Sequence, residues 1–200
     1  TPALNGTGSI TVNVLPAGTI NLNGIHQEIW TGISGATLTS LTGNANYPYR
    51  PGTRRTLSSF DSGNGYGDSY GSRIRVRFIP PSSGDYQFYI AGDDDCRLLF
   101  SNDPSGTGAA QIANISGWSD ANQWTKYASQ TSTVRTLVAG QAVYLETLHK
   151  EGSGGDHISV GYTGPDVTAT TVIPGSMLQP FDINAPPVFS PSSYSYSLSA

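Results

Sequence analysis

Lysine is nearly absent from this chain, and cysteine and methionine occur once each. With Cys96 alone, no intrachain disulfide can form, so stability has to come from the core, from neighbouring domains or from a bound metal. Charged residues make up only 12% of the sequence, with a net charge of −4 and a pI of about 5.1. A nucleic-acid surface needs a basic stripe, and that partner is excluded. No apolar run is long enough to span a bilayer, so membrane insertion is not expected, and the start does not read as a signal peptide. Thr1 is no natural start, which predicts a piece excised or processed from a longer chain. No segment sustains a helical period.

What the chain does have is 24 Gly, 13 Pro and 11 Tyr in 200 residues, a turn-dense composition that fits an all-β fold. This length accommodates one sandwich or barrel, or one domain plus fragments of its neighbours. Alternation over Thr7 to Leu15 predicts a terminal strand, broken by Pro16-Ala17-Gly18. Ile25, Ile29 and Trp30 start the first core element. From Leu41 to Ser72 little periodicity survives, and an irregular excursion carrying Tyr47, Tyr49 and Phe60 is expected. Arg73, Arg75 and Arg77 alternate with Ile74, Val76 and Phe78, predicting a strand with its apolar face inward and its cationic face outward. Those arginines can bind an anion or pair with acids on a neighbouring strand. Pro80 to Gly84 connects to an alternating strand through Tyr86, Phe88 and Ile90, and the two strands are expected to pair as a hairpin. Short strands follow at Ala110 to Ile115 and Val134 to Leu137, with Trp118 and Trp124 between them. Val143 to Leu148 and His157 to Thr163 are longer strands. Glu146, inside an apolar run, needs a partner or an exposed face. Trp30 and Trp124 are assigned to the core or its rim.

Asp93-Asp94-Asp95 interrupts one strand and precedes the next. Three adjacent carboxylates repel unless a cation or hydrogen-bond donors compensate, and only Arg97 is near in sequence. The arrangement fits a hard-cation site, calcium foremost, and equally a solvated acidic turn. A second loop, Lys150 to His157, supplies three glycines, Asp156 and His157, the mixture of carbonyl and carboxylate oxygens that calcium favours. A zinc alternative would use His149, Asp156 and His157, although their spacing fixes no geometry. Asp61 to Asp68 has an EF-hand flavour, but glycines stand at its third and fifth positions, so a flexible loop is expected.

Ile25-His26-Gln27-Glu28-Ile29-Trp30, Ser83-Gly84-Asp85-Tyr86-Gln87-Phe88, Ala91-Gly92-Asp93-Asp94 and Leu148-His149-Lys150-Glu151-Gly152 with Gly155-Asp156-His157 occur in order along the chain. Together they resemble the PA14 domain family, named after the anthrax protective antigen and including yeast flocculin and adhesin lectins. The resemblance covers about Asn23 to Pro180. It implies an antiparallel β-sandwich with long irregular loops. It also implies that Asp93 and Asp94, a pair often joined by a cis peptide in the family, bind calcium, and that the ion accepts vicinal sugar hydroxyls. Asp156, with Gly155 and His157, falls in the second calcium-binding loop, where members supply a side-chain oxygen and backbone carbonyls. Pro187-Val188-Phe189-Ser190 and Tyr194 to Leu198 are similar to the first strand of a cadherin-like repeat, and Gly8 to Val14 to the last strand of one.

These readings give three expected segments: residues 1–22 as a strand or linker, 23–180 as a lectin-like domain, and 181–200 as a linker into a following repeat. The leading functional expectation is a calcium-dependent carbohydrate-binding module, extracellular or at a cell surface, covalently linked to neighbouring domains and monomeric in isolation. Asp93, Asp94, Asp156, His157, Gln130 and Trp118 are the candidate sugar contacts, with the Asn102-Asp103 loop beside them. A calcium-stabilised structural spacer is the alternative. Catalysis is not expected, because no spacing selects a pair among Glu28, Glu146, Glu151 and Asp156.

Overall fold

Period-two alternation builds most of the chain, and the computed structural model describes residues 24–181. The strands expected before residue 24 and after residue 181 lie outside the described residues. The first half contains β1 (Ile25–Thr31), a five-residue α1 (Leu38–Thr42), β2 (Thr53–Leu57), β3 (Tyr70–Phe78), β4 (Gly84–Asp93) and β5 (Asp95–Ser101). The second half adds β6 (Ala110–Ile115), β7 (Arg135–Leu137), β8 (Val143–Glu151), β9 (His157–Gly164), β10 (Val167–Val172) and β11 (Leu178–Pro180). They form two antiparallel sheets. The larger runs β2-β1-β3-β8-β5-β6, with β11 also on β3, and the smaller runs β10-β9-β4-β7.

Side chains of alternate residues fill the space between the sheets. Ile74, Val76 and Phe78 of β3 meet Tyr86, Phe88 and Ile90 of β4 and Val160 and Tyr162 of β9 in one buried cluster. The Phe78 ring stands edge-on to Phe88, with centroids 5.4 Å apart. The expected hairpin between β3 and β4 is not formed. β3 pairs with β1, β8 and β11, whereas the Pro80 to Gly84 connection carries the chain across to the smaller sheet, where β4 pairs with β9 and β7. Alternation specified which residues face inward but not which strands are neighbours.

The cationic face of β3 does point away from the core, yet most of it is covered. Glu28 of β1 receives Arg73 at 2.7 Å, Arg54 at 3.0 Å and Arg75 at 3.1 Å. Burial pushes the Glu28 carboxyl up, but Arg73 and Arg75 more than offset this and hold it below its ordinary value. Glu146 is partnered by the Tyr144 hydroxyl rather than by an arginine. On the same outer face α1 packs Leu38 and Leu41 against Trp30, Ile33 and Leu148. Gly71 makes room for it, since a Cβ there would stand 2.5 Å from Leu41 Cδ1. The end of α1 and all of β2 fall inside the stretch expected to be irregular, both elements being too short to show a period.

Along one edge of β3 two strands lie end to end: β1 covers Tyr70 to Ile74, and β11 covers Val76 to Phe78. At one end of the sandwich the chain changes sheets twice, from β4 to β5 at Asp93-Asp94-Asp95 and from β8 to β9 between Glu151 and His157. The Asp93-Asp94 peptide is cis.

Candidate functional site

The two sheet changes lie side by side because their strands are paired. Asp93 faces His157 across β4 and β9, and Asp95 faces Lys150 across β5 and β8. Asp93, Asp94 and Glu151 are thereby gathered so that a carboxylate oxygen from each lies within 4.8 Å of the others. Among the described residues this is the one grouping of acidic, histidine or cysteine side chains that can hold a metal ion. Glu151 is fully buried, and neither of its carboxylate oxygens has a hydrogen-bond partner. Burial first, and then the charges of Asp94 and Asp93, push its carboxyl up to about 8. Asp93 is pushed up to about 6, again by burial first and then by Asp94. Three carboxyl groups gathered this closely, one of them buried and without a donor, can hold a cation.

The surroundings orient this cluster. Gly152 N–H donates to Asp94 Oδ2 at 3.0 Å. Gly155 borders Asp93 so closely that a Cβ would stand 2.8 Å from Asp93 Oδ2. His149, fully buried, hydrogen-bonds the Asp93 carbonyl through Nε2 at 2.6 Å. Burial lowers its pKa to about 4, so the ring is neutral; the carbonyl can only accept, and Nε2 carries the proton. Nδ1 then accepts from Ser72, whose hydroxyl in turn receives Gln27 Nε2 at 3.0 Å. Arg55 Nε donates to Gln27 Oε1 at 2.6 Å, and so a buried polar line runs from Arg55 to the Asp93 backbone.

Several expected site residues have other duties. Asp95 accepts the Leu38 N–H at 2.8 Å and so fixes the start of α1. Asp156 is buried outside the cluster of three. It accepts from the N–H groups of Gly65 and Gly67 and from the Tyr70 hydroxyl. The segment Asp61 to Asp68, expected to be a flexible loop, is thus tied down: Asp68 accepts Gly154 N–H at 3.1 Å, and Arg55 Nη2 donates to the Ser62 carbonyl at 2.7 Å. Gln130 is fully buried with its amide spent, donating to the Ile90 and Gln123 carbonyls and accepting from Tyr127 N–H. It holds the 118–130 excursion onto β4 and has nothing left for a sugar. Asn102-Asp103 follows β5 at the opposite end of the sandwich. The zinc set does not assemble, because His149 is committed to Asp93 and Ser72. Nor do the four weighed carboxylates converge, since Glu28 is neutralised by arginines on the outer face and Glu146 is bonded by Tyr144.

Beside the cluster opens a cleft of about 410 Å³ lined by Asp93, Asp156, His157, Asn64, Trp118 and Asp120. Trp118 is 49% exposed. The member of the acidic cluster that sequence reasoning missed is Glu151. Its position two residues beyond His149 on an alternating strand, facing inward, was the available signal.

The sequence profile of the PA14 domain matches residues 53–176. The chain belongs to the PA14 domain family. It is 33% identical over 143 residues to mouse N-acetyl-beta-glucosaminyl-glycoprotein 4-beta-N-acetylgalactosaminyltransferase 1, a match that covers 69% of this chain and 14% of that protein. It is also 33% identical over 94 residues to mouse Fibrocystin-L, covering 47% of this chain and 2% of that protein. Among solved structures, the PA14 domain of the MpAFP antifreeze protein superposes with a TM-score of 0.57 at 12% identity, covering 88% of this chain and 97% of that one. The PA14 sugar-binding domain from an RTX adhesin gives 0.54 at 13% identity, covering 76% and 96%. The Epithelial Adhesin 9 A domain of Candida glabrata, solved in complex with Galb1-4GlcNAc, gives 0.52 at 11% identity, covering 75% and 88%. These likenesses establish a shared fold. No described helix is long and apolar enough to cross a membrane.

Proposed function

We propose that this PA14 domain is a calcium-dependent carbohydrate-binding module of a larger extracellular or cell-surface protein. The observation that carries the reading is the convergence of Asp93, Asp94 and the buried, unpartnered Glu151 beside an open cleft that Asp93 itself lines. The family resemblance to solved sugar-binding adhesin domains supports it. Calcium takes six to eight oxygen ligands and tolerates irregular geometry, which suits carboxylates delivered by two strand ends and a loop. Asp93, Asp94 and Glu151 would hold the ion, with backbone carbonyls of the Gly152 to His157 loop available around it. When bound, the ion supplies the positive charge that draws two neighbouring sugar hydroxyl oxygens.

The remaining work falls to the protein. Asp93 and Asp94, less buried than Glu151, accept the protons of those hydroxyls in charge-assisted hydrogen bonds. Gly152 N–H and His149 keep Asp94 and Asp93 in place. Trp118 offers an aromatic wall to the apolar face of a sugar ring. A shallow rim site buries little surface, so a free monosaccharide binds weakly, on the order of millimolar, and display on a glycan surface compensates by avidity. The test is competition on an immobilised glycan by vicinal-diol sugars and their deoxy partners, with calcium and with chelator. Inhibition by the diol sugar alone, lost in chelator, is expected. Equal inhibition by diol and deoxy sugars, or inhibition that survives chelator, would overturn the reading and leave a calcium-stabilised spacer module.

A further inference from the structure

Lys126 stands over Trp118, which lines the cleft, and makes no ion pair among the described residues. Its ammonium nitrogen lies 3.0 Å from the centroid of the Trp118 ring and 5.5 Å from that of Tyr127, and both rings are partly exposed. The ion pairs among the described residues all converge on Glu28, on the outer face of the larger sheet. Lys150, the other lysine, is fully buried and donates to the Glu151 carbonyl. An ammonium has three donors, and a ring face satisfies a cation without using up directed hydrogen bonds. Lys126 thus presents unspent N–H groups beside Trp118, which itself lines the cleft. Its place is fixed, because the excursion that carries it is pinned to β4 at both ends. Ser119 N–H donates to the Gly92 carbonyl at 2.9 Å, and Gln130 donates to the Ile90 carbonyl at 2.8 Å. Its field also reaches the metal-facing carboxylates: burial and acidic neighbours raise the Asp93 pKa, and Lys126 draws it back down.

We propose that Lys126 makes this cleft select acidic glycans, pairing its ammonium with a carboxylate or sulfate on the sugar whose hydroxyls face Asp93 and Asp94. This rests on the carbohydrate-binding reading above. The aromatic pair holds the cation with no carboxylate of the described residues in ion-pair contact with it. A neutral sugar leaves the three donors to water, whereas an acidic one replaces that water with a charge-assisted bond.

The experiment is titration of the calcium-loaded protein with the methyl glycosides of galactose and galacturonic acid, and of glucose and glucuronic acid, at low ionic strength. In at least one pair the acid binds about fivefold more tightly, the scale of one partly exposed ion pair. The gap closes in Lys126→Gln and in about 0.5 M salt, where such a pair is screened, and persists in Lys126→Arg. Unchanged melting of Lys126→Gln shows that the fold is intact. Equal affinities within both pairs, or a preference for the acid that survives Lys126→Gln, overturn the role of Lys126 while leaving carbohydrate binding standing. If no sugar of either pair binds in calcium, and none binds on a glycan surface, the carbohydrate reading falls and this inference with it.

Discussion

Replacing Glu151 by Gln should stabilise the domain in chelator and shrink the stabilisation it draws from calcium. The folded, ion-free domain raises this carboxyl from 4.5 to about 8. A group whose folded pKa is raised binds more protons in the folded state, so stability is lost as pH climbs from the unfolded value toward the folded one. At pH 8 the shift corresponds to an upper bound of about 4 kcal/mol, and screening through the more open Asp93 and Asp94 reduces it to about 2 kcal/mol. The amide carries no charge, so Glu151→Gln in chelator at pH 8 should melt about 6 °C above wild type, at roughly 3 °C per kcal/mol. Between pH 6.5 and 8 the wild-type melting temperature should fall relative to that of the variant in chelator, the pH dependence of His149 being common to both. In calcium the gap narrows. At 100 times its dissociation constant the ion stabilises wild type by about 2.7 kcal/mol, and a tenfold loss of affinity removes about 1.4 kcal/mol of that. Differential scanning calorimetry in chelator and in calcium reads both effects. A variant that melts below wild type in chelator, or that keeps the full calcium shift, would show that Glu151 is neither an uncompensated charge nor a ligand.

Three further outcomes follow from the same geometry. Asp94→Asn should leave a folded sandwich but weaken calcium binding at least tenfold, read by calorimetric titration, because hard-cation affinity tracks ligand charge. Gly155→Ala should weaken calcium binding, read by calorimetric titration, by displacing Asp93, since the new Cβ would meet Asp93 Oδ2 at 2.8 Å. Glu28→Gln should cost about 3 kcal/mol in denaturant unfolding without altering calcium affinity, because it leaves Arg73 and Arg75 covered and unneutralised.

The strands and the acidic pair were legible in the sequence because both are local. Tyr86, Phe88 and Ile90 declare an inward face by alternation, and Asp93-Asp94 declares itself by charge density. The neighbours of each strand were not legible: β3 and β4 alternate equally well, and nothing in Pro80 to Gly84 says whether the chain turns back or crosses to the other sheet. Glu151 was hidden for the same reason, since its role exists only once β8 ends beside the β4 to β5 crossing. Asp61 to Asp68 looked mobile because glycine carries no side chain to read, yet the Gly65 and Gly67 N–H groups hold Asp156. Gln130 was misread because an amide beside aromatic residues has the same signature whether it greets a ligand or closes a loop. Only the carbonyls of Ile90 and Gln123 decide between them.

The end-to-end placement of β1 and β11 along β3 brings the two ends of the described residues together. Gln27 pairs with Ile74, Pro180 pairs with Val76, and Phe181 N–H reaches the Arg75 carbonyl, so the chain enters and leaves the sandwich at nearly the same height on one edge. The acidic cluster lies toward the Tyr70 end of that strand, about 15–20 Å away at the rise of an extended chain. A pull applied between Gly24 and Phe181 would load the junction at Ile74 to Val76 first and reach the strands that gather Asp93, Asp94 and Glu151 only through β3, so the acidic end of the sandwich would be the last part to be strained.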